Sequence, residues 1–478
     1  MTTTAPAGTL RRDDRGHPGR WLALGVLTLA LLLVAVDATV LGLAIPFLTE
    51  DLRPTSTQLL WIGDSYSFVI AGLLVSMGSL GDRVGRKRLL LTGTAAFGAL
   101  SVLAAYATTP GTLITARALM GVAGATLMPS TLALIRTLFP DARERSFAIG
   151  VWGAVSTAGA ALGPVVGGVL LEHFWWGSVF LINLPVMAVL LVVGARLLPE
   201  SRDPGRGPWD PASVLLSLLG MFGVVYAVKQ LAVHGPGPTA LGAGLLGAAG
   251  LHGFVRRQLA LPVPLLDMRL FRHRGFSGAV LADLLTVLGL AGIVFFLSQF
   301  LQEVQGRSPL QAGLFELPAT LGAAGTGLVA GAVARRWSVR AAVTGGLGAT
   351  GLALVALLAL RPGSGFLYLG GVLLVTGAGA GLSYTVTADV ILSSVPPAQA
   401  GAASGVSETA YELGAALGIA LLGSIVTGIS GGPASAAPAA FTDGLRTASA
   451  VGGGVLLVAA AAAWGLLRGQ RLAGAVRR

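Results

Sequence analysis

Eight ionisable residues lie inside long apolar runs of the sequence. A charge in the hydrocarbon region of a bilayer costs about 2.5 kcal/mol or more, so it usually faces a cavity or a partner. Seven of the eight are acids and one is a base: Asp37, Asp64, Asp283, Glu316, Asp389, Glu408, Glu412 and Arg117. Burial raises the pKa of a carboxyl group, so an embedded acid can be neutral in one conformation and ionised in another. The set predicts a cavity that attracts cations and exchanges protons.

Spacing and depth distinguish these acids. Glu408 and Glu412 are four residues apart, so a helix places them on one face, about 6 Å apart along its axis. Asp389 falls near the end of its apolar run, where exposure at the membrane interface is nearly as good an interpretation as function. Any single acid could instead make an ordinary hydrogen bond between helices. A purely structural explanation does not account for all seven.

Other catalytic chemistries lack their residues. The chain has no cysteine, which excludes disulfides and thiolate chemistry. The two lysines, Lys87 and Lys229, do not follow glycine as a phosphate-binding P-loop requires. The five histidines show no metal-ligand spacing: His17, His173, His234, His252 and His273. An ATP motor is therefore not encoded, and active transport would have to use an ion gradient or a partner protein.

The apolar runs themselves define the fold class. Hydrophobic residues make up 54% of the 478 residues and charged residues only 11%, which excludes an ordinary soluble enzyme. The runs are about 20 residues long, the length that spans a bilayer. We predict fourteen spans, grouped as six, two and six: 22–48, 60–80, 89–108, 112–135, 146–171, 177–198; 212–230, 237–255; 276–301, 309–333, 340–360, 366–391, 400–428 and 446–467.

Basic residues predict the orientation. With the N-terminus inside, 26 of the 32 lysines and arginines fall in inner segments, which is a strong positive-inside bias. Five fall outside, Lys229 among them, and Arg117 lies in a span. Both termini are therefore predicted to be cytoplasmic, as an even number of spans requires.

The spans divide the chain into predicted domains. Residues 1–20 and 469–478 are cytoplasmic tails, 21–200 and 276–468 are six-helix bundles, and 201–256 is a central two-helix insertion. The segment 257–275 is too charged to span and is predicted to be an amphipathic cytoplasmic linker. Residues 429–445, rich in Gly, Ala, Pro and Ser, are predicted to form an outer loop.

Two inner loops indicate an internal repeat. Gly78-Ser-Leu-Gly-Asp82-Arg83-Val-Gly-Arg86-Lys87 follows the second span, and Gly331-Ala-Val-Ala-Arg335-Arg336-Trp-Ser-Val-Arg340 follows the second span of the last group. Glycine and two basic positions coincide, while Arg335 replaces Asp82. Secondary transporters are built from such repeats. Asp82 with Arg83 and Arg86 can form an ionic latch between helix ends, which a plain basic loop does not explain.

A glycine series marks the fifth span. Gly159, Gly163 and Gly167 recur every four residues and offer one smooth face to another helix. Pro164 removes a helix hydrogen bond and favours a bend. Such a helix suits a moving seal between bundles, although ordinary small-residue packing explains the pattern nearly as well.

These motifs resemble those of the major facilitator superfamily and, within it, the fourteen-helix drug:proton antiporters. The resemblance covers essentially the whole chain and rests on six stretches: Gly78-Ser-Leu-Gly-Asp82-Arg83-Val-Gly85-Arg86-Lys87-Arg88, Arg117-Ala-Leu-Met-Gly121, Gly159-Ala-Ala-Leu-Gly163-Pro164-Val-Val-Gly167-Gly168, Asp37-Ala-Thr39-Val40 with Pro46, Trp61-Ile-Gly-Asp64-Ser-Tyr66, and Glu408-Thr-Ala-Tyr-Glu412-Leu-Gly414. The last two are most similar to exporters of quaternary ammonium compounds.

The resemblance implies an all-α membrane protein of fourteen transmembrane helices, with two pseudo-symmetric six-helix bundles and a central pair. It implies proton-driven export of lipophilic cationic or amphipathic drugs from the plasma membrane, with no enzymatic activity and no cofactor. The bilayer, small molecules and protons would be its partners, without nucleic acid or an obligatory protein. It assigns a gating latch to Gly78, Asp82, Arg83, Gly85 and Arg86, and proton coupling to Asp37 and Arg117.

Three alternatives remain open from the sequence. The first is a dedicated exporter of a self-made antibiotic or other metabolite, which shares the same motifs. The second is a membrane-embedded enzyme, for which no nucleophile or metal motif is present. The third is a channel, for which no filter-like repeat is present. Aromatic residues such as Tyr66, Phe68, Tyr384 and Tyr411 could line a pocket for lipophilic cations, although each alone is more typical of packing.

Overall fold

The computed structural model describes residues 19–202, 209–430 and 437–468, and within these ranges the protein is built from helices. The helices of the first half are α1 (Arg20–Leu52), α2 (Ser56–Val84), α3 (Arg86–Ala105), α4 (Pro110–Leu138), α5 (Ala142–His173), the short α6 (Ser178–Leu181) and α7 (Asn183–Leu197). A central pair follows, α8 (Pro211–His234) and α9 (Pro238–Ala260). The second half contains α10 (Arg274–Gln299), α11 (Pro309–Trp337), α12 (Val339–Ala356), α13 (Phe366–Ser393), α14 (Ala400–Ser430) and α15 (Pro438–Leu466).

The helices are long enough to cross a membrane. Among the described residues, thirteen segments have the length and apolar composition of a membrane span, with α6 and α7 counted together as Ser178–Leu197. The remaining long helix, α5, has 32 residues. These thirteen segments and the long helix α5 together correspond to the fourteen helices that the sequence predicts.

Capping residues set where several helices begin. Thr55, Thr109 and Ser308 each accept a hydrogen bond from the backbone three residues on, and that residue's side chain bonds back, completing a capping box. A capping box satisfies backbone N–H groups that a helix start otherwise leaves without partners. The three boxes start α2, α4 and α11 at the end of the bundle that is predicted to face outward.

The two halves repeat one packing pattern. In the first half α1 packs on α5, α2 on α4, and α3 on α4; in the second half α10 packs on α14, α11 on α13, and α12 on α13. The halves meet through α2 against α14 and through α5 against α11. The same pseudo-symmetry relates these two contacts, because α2 corresponds to α11 and α5 corresponds to α14. The internal repeat predicted from the two inner loops is therefore confirmed by the packing.

The central pair lies beside both halves. Helices α8 and α9 pack on each other, and α8 also contacts α2 and α14. At the base of the pair, Arg257 donates hydrogen bonds of 2.7 and 2.9 Å to the two carboxylate oxygens of Asp210. These bonds hold the pKa of Asp210 well below its usual range, because they stabilise the ionised carboxylate.

The segment before the last span differs from the sequence prediction. Helix α15 begins at Pro438 and not near 446, so much of the predicted outer loop is helical. Proline favours the first position of a helix, and Phe441 and Leu445 bury one face of the new turns. Residues 431–436 lie outside the described ranges.

The linker between the central pair and the second half has little regular secondary structure. The segment predicted as an amphipathic linker contains the end of α9, a five-residue 3-10 helix, Met268–Arg272, and the start of α10. The side chain of Gln258 accepts hydrogen bonds from the backbone of Leu265 and Leu266, and both leucines are buried. This segment is therefore anchored in the protein.

Candidate functional site

Asp82 joins the two halves at the end of the bundle that contains the α2–α3 loop. Its carboxylate is buried and accepts hydrogen bonds from the backbone of Gly401 at 2.8 Å and Ala402 at 3.0 Å, in the first turn of α14. Arg86 donates two more, at 2.8 and 3.0 Å. A carboxylate at a helix N-terminus is favoured by the helix dipole, so Asp82 holds α2 against α14.

Arg86 connects this cluster to residues of the first half and to the segment before α14. Its guanidinium donates to Thr137 Oγ1 at 3.0 Å and Ser201 Oγ at 3.2 Å in the first half, and to the carbonyl of Pro397 at 2.7 Å beside α14. Gly85, with φ 112°, allows the tight turn between α2 and α3.

The other two latch residues have different surroundings. A Cβ on Gly78 would overlap the backbone of Gly401, so the close approach of α2 and α14 requires glycine here. Arg83 is half-buried at the end of α2. The structure thus brings Gly78, Asp82 and Arg86 to one contact between the halves.

A second ionic contact between the halves lies at the same end. Arg145 of α5 donates a 2.7 Å hydrogen bond to Asp389 of α13, whose other oxygen accepts one from Ser146. Arg136 also donates to the carbonyl of Val395, before α14. Asp389 is fully buried, so the interfacial exposure considered from the sequence is wrong. The sequence missed Arg145 because an arginine in an inner segment looks like ordinary positive-inside charge.

Asp37 and Arg117 form a buried pair inside the first half. Arg117 Nη1 lies 2.8 Å from Asp37 Oδ2, and the two side chains are 2% and 0% exposed. Asn183 donates to the other oxygen of Asp37 at 3.1 Å, and the Arg117 guanidinium lies 4.5 Å from the centroid of the Tyr66 ring. A single asparagine in an apolar run carries no clear signal, so the sequence missed Asn183.

The acids of the second half are less well partnered. Glu408 of α14 is 1% exposed, and neither of its carboxylate oxygens has a hydrogen-bond partner among the described residues. Asp283 of α10 accepts a 2.8 Å bond from Ser407 with one oxygen, and its other oxygen has no such partner. Both acids interact electrostatically with Tyr384. This part of the second half holds buried acids and aromatic rings together.

Aromatic rings continue this group across the interface between the halves. Tyr384 lies 5.7 Å from Tyr411 of α14 and stacks on Trp152 of α5, with 6.4 Å between centroids. Glu412 is half-buried one turn beyond Glu408, and Glu316 of α11 is half-buried with one oxygen lacking a hydrogen-bond partner among the described residues. Within the described ranges, no group of three or more His, Asp or Glu is placed to hold a metal ion.

Asp64 has a partner that the sequence assigned to an outer loop. Lys229 lies within α8 and forms an ion pair with Asp64 of α2. Lys229 was counted among the outer basic residues although it lies at the end of the predicted span 212–230, and the structure places it inside α8, which continues to His234.

The glycine series of α5 faces α1. A Cβ on Gly159 would lie 2.8 Å from Ala35 Cβ, and one on Gly163 would overlap the Thr39 hydroxyl and lie 2.9 Å from Thr39 Cβ. Gly167 is buried, whereas Gly168 is exposed and a Cβ there would have nothing within 4 Å. The predicted close approach of the two helices is confirmed for Gly159 and Gly163. The side chain of Pro164 is not among the side chains that the structure describes.

Gly163→Ala is expected to destabilise the protein by about 1–3 kcal/mol, because the added methyl group overpacks the contact with Thr39. Gly168→Ala is the matched control, expected to be neutral or to stabilise by up to about 1 kcal/mol through helix propensity. Thermal unfolding of the two purified variants in detergent checks this difference. Equal melting temperatures would contradict a packing role for Gly163.

Two pseudo-symmetric halves, joined at one end by buried ionic contacts and carrying buried acids, have the architecture of a secondary transporter. The family model for the Major Facilitator Superfamily matches residues 27–419. The chain belongs to this superfamily and is a multi-pass membrane transporter.

Similar proteins agree with this assignment. The chain is 49% identical to the multidrug efflux pump LfrA of Mycolicibacterium smegmatis over 407 residues, covering 85% of this chain and 81% of that protein. It is 37% identical to the methyl viologen resistance protein SmvA of Salmonella typhimurium over 409 residues, 85% of this chain and 83% of that protein. The crystal structure of the human organic anion transporter MFSD10 (TETRAN) matches with a TM-score of 0.64 and 17% identity, covering 95% of this chain and 100% of that one. At 17% identity, the similarity to MFSD10 shows only that the two proteins share a fold.

Proposed function

We propose that the protein exports lipophilic cationic or amphipathic drugs across the plasma membrane in exchange for protons, by alternating access. One observation carries the proposal: Glu408 is a buried carboxylate without a hydrogen-bond partner in the described structure, beside a second buried acid, Asp283. A buried acid without a partner is costly, so it is typical of an ion or proton pathway.

The names of the similar proteins support the substrate class. LfrA is a multidrug efflux pump, and SmvA confers resistance to methyl viologen, which is a dication. A cation in a low-dielectric cavity needs a nearby ionised carboxylate, and a second charge needs a second carboxylate. Glu408 and Glu412 on one face of α14 offer two acids within one helical turn.

Proton coupling rests on the buried pair of the first half. If Asp37 takes up a proton, its attraction to Arg117 is lost, and the buried guanidinium must find another partner. Protonation of one residue would thereby change the packing of α1 against α4. A pH gradient is the energy source that fits this arrangement, and no cofactor is involved.

The positive-inside bias supports an orientation with both termini and the α2–α3 loop in the cytoplasm. In this orientation, Asp82, Arg86, Arg145 and Asp389 close the cytoplasmic end, and the described conformation faces outward. Opening toward the cytoplasm would require these contacts to break.

Efflux of ethidium is expected to follow an imposed pH gradient in proteoliposomes that contain only this protein. A protonophore should stop it, and ATP should have no effect. Glu408→Gln should lose gradient-driven transport, whereas Glu172→Gln, which changes an exposed acid of α5, should retain it. Efflux that survives the protonophore but requires ATP would overturn proton coupling.

A dedicated exporter of one antibiotic or metabolite is the second candidate. The 49% identity to a multidrug efflux pump favours broad export. A panel of chemically unrelated cations distinguishes the two, because a dedicated exporter transports one compound class and leaves ethidium inside. Membership in a transporter superfamily supports transport over a membrane-embedded enzyme.

A further inference from the structure

The Asp64–Lys229 pair has contacts that resemble those of a bound cation. The ammonium group of Lys229 pairs with the carboxylate of Asp64 and lies 4.9 Å from the centroid of the Phe68 ring. A carboxylate on one side and an aromatic face on the other are the contacts that a quaternary or aromatic ammonium ion uses. The two charged side chains are 36% and 32% exposed, so a solute can reach them.

An aromatic wall surrounds this pair. Phe222 and Tyr226, one turn apart on α8, stack almost parallel to Trp61 of α2, with interplanar angles of 14°. The ring centroids of Phe68 and Phe222 are 5.0 Å apart, and the side-chain amide of Gln230 donates a 2.8 Å hydrogen bond to the Tyr226 hydroxyl. Three near-parallel rings thus lie beside one carboxylate, and Phe68 is tilted against them by 55–67°, an arrangement that suits a planar cation.

Lys229 has a second acid within electrostatic reach. It interacts with Glu412 of α14, in the other half of the protein. A lysine side chain is long and flexible, so it can change partners when one carboxylate is taken. The central helix α8 therefore places a mobile positive charge between an acid of the first half and an acid of the second.

We propose that Lys229 occupies the place of a substrate's positive charge in the empty transporter, and that a lipophilic cation binds by displacing it from Asp64 and Phe68. The displaced ammonium group moves toward Glu412, so the charge of the site stays balanced. This inference rests on the proposed function and gives the inserted helix pair a role in selecting cations. Neutral amphipathic substrates do not compete with Lys229.

Binding of ethidium, a planar monovalent cation, to the purified protein tests this competition without a gradient. Lys229→Met should lower the dissociation constant for ethidium roughly two- to fivefold, because a partly exposed ion pair contributes only a small free energy. Lys229→Arg keeps the competing charge and is the matched control, expected to match the wild type. Asp64→Asn should weaken binding, and adding Lys229→Met to it should change nothing more. Nile red, a neutral dye, should bind all variants equally.

Melting temperatures establish that each variant is folded as the wild type is. Weaker or unchanged ethidium binding by Lys229→Met would overturn the inference, as would a gain that persists in the Asp64→Asn background. If the wild type binds ethidium and either of these contrary results is obtained, the inference about Lys229 is wrong and the proposed function still stands. Failure of the wild type to bind or export any cation would overturn both.

Discussion

Asp37→Asn is expected to reduce gradient-driven efflux of cations by more than about 100-fold. The substitution leaves the guanidinium of Arg117, 2% exposed, without its charged partner. An amide cannot take up and release the coupling proton, so the loss of efflux follows from the lost exchange step, whereas the broken buried pair costs about 3–5 kcal/mol of folding stability in addition. Initial efflux rates in proteoliposomes at matched protein density measure the loss. Monovalent and divalent substrates should be affected equally, because the proton and not the substrate is lost.

A double variant separates coupling from stability. Asp37→Asn with Arg117→Gln removes both charges, so it should recover much of the thermal stability that the single variant loses. Efflux should remain absent if Asp37 carries the proton. Recovery of efflux together with stability would mean that the pair is only structural, and proton coupling would then fall to another acid, with Glu408 the next candidate.

Asp82→Asn is expected to slow transport strongly while substrate binding changes little. The carboxylate accepts hydrogen bonds from Gly401, Ala402 and Arg86, all at the end where the halves are joined. Its neutralisation destabilises the closed end by about 3 kcal/mol or more, which shifts the conformational equilibrium by at least about 100-fold. The cavity residues around Glu408 lie elsewhere, so the dissociation constant for ethidium should stay within about twofold of the wild type.

Spin labels measure the conformational part of this prediction. The chain has no cysteine, so Val84→Cys at the end of α2 and Gln399→Cys directly before α14 introduce two unique labelling sites. The distance between the labels should lengthen in the Asp82→Asn background. Asp267→Asn, an exposed acid in the linker, is the control and should leave the distance unchanged. An unchanged distribution in the Asp82 variant, or equal losses of binding and transport, would contradict a latch.

Much of the fold follows from the order of residues along the chain. Apolar runs of spanning length predicted fourteen helices, and the two glycine–arginine loops predicted the repeat that the packing confirms. Capping boxes and Pro438 act on residues next to them in the chain, so local sequence also determines where these helices start. The embedded acids were found because a charge in an apolar run stands out from its neighbours whatever the fold.

The pairing of those charges was decided only by the tertiary structure. Asp37 and Arg117 are 80 residues apart, Asp64 and Lys229 are 165 apart, and Arg145 and Asp389 are 244 apart. A helix that is apolar on all sides has no polar stripe to reveal which face meets the protein and which meets lipid. The sequence alone therefore determined which residues are costly to bury, whereas helix packing determined that Asp37 pairs with Arg117 and that Glu408 has no hydrogen-bond partner within the described structure.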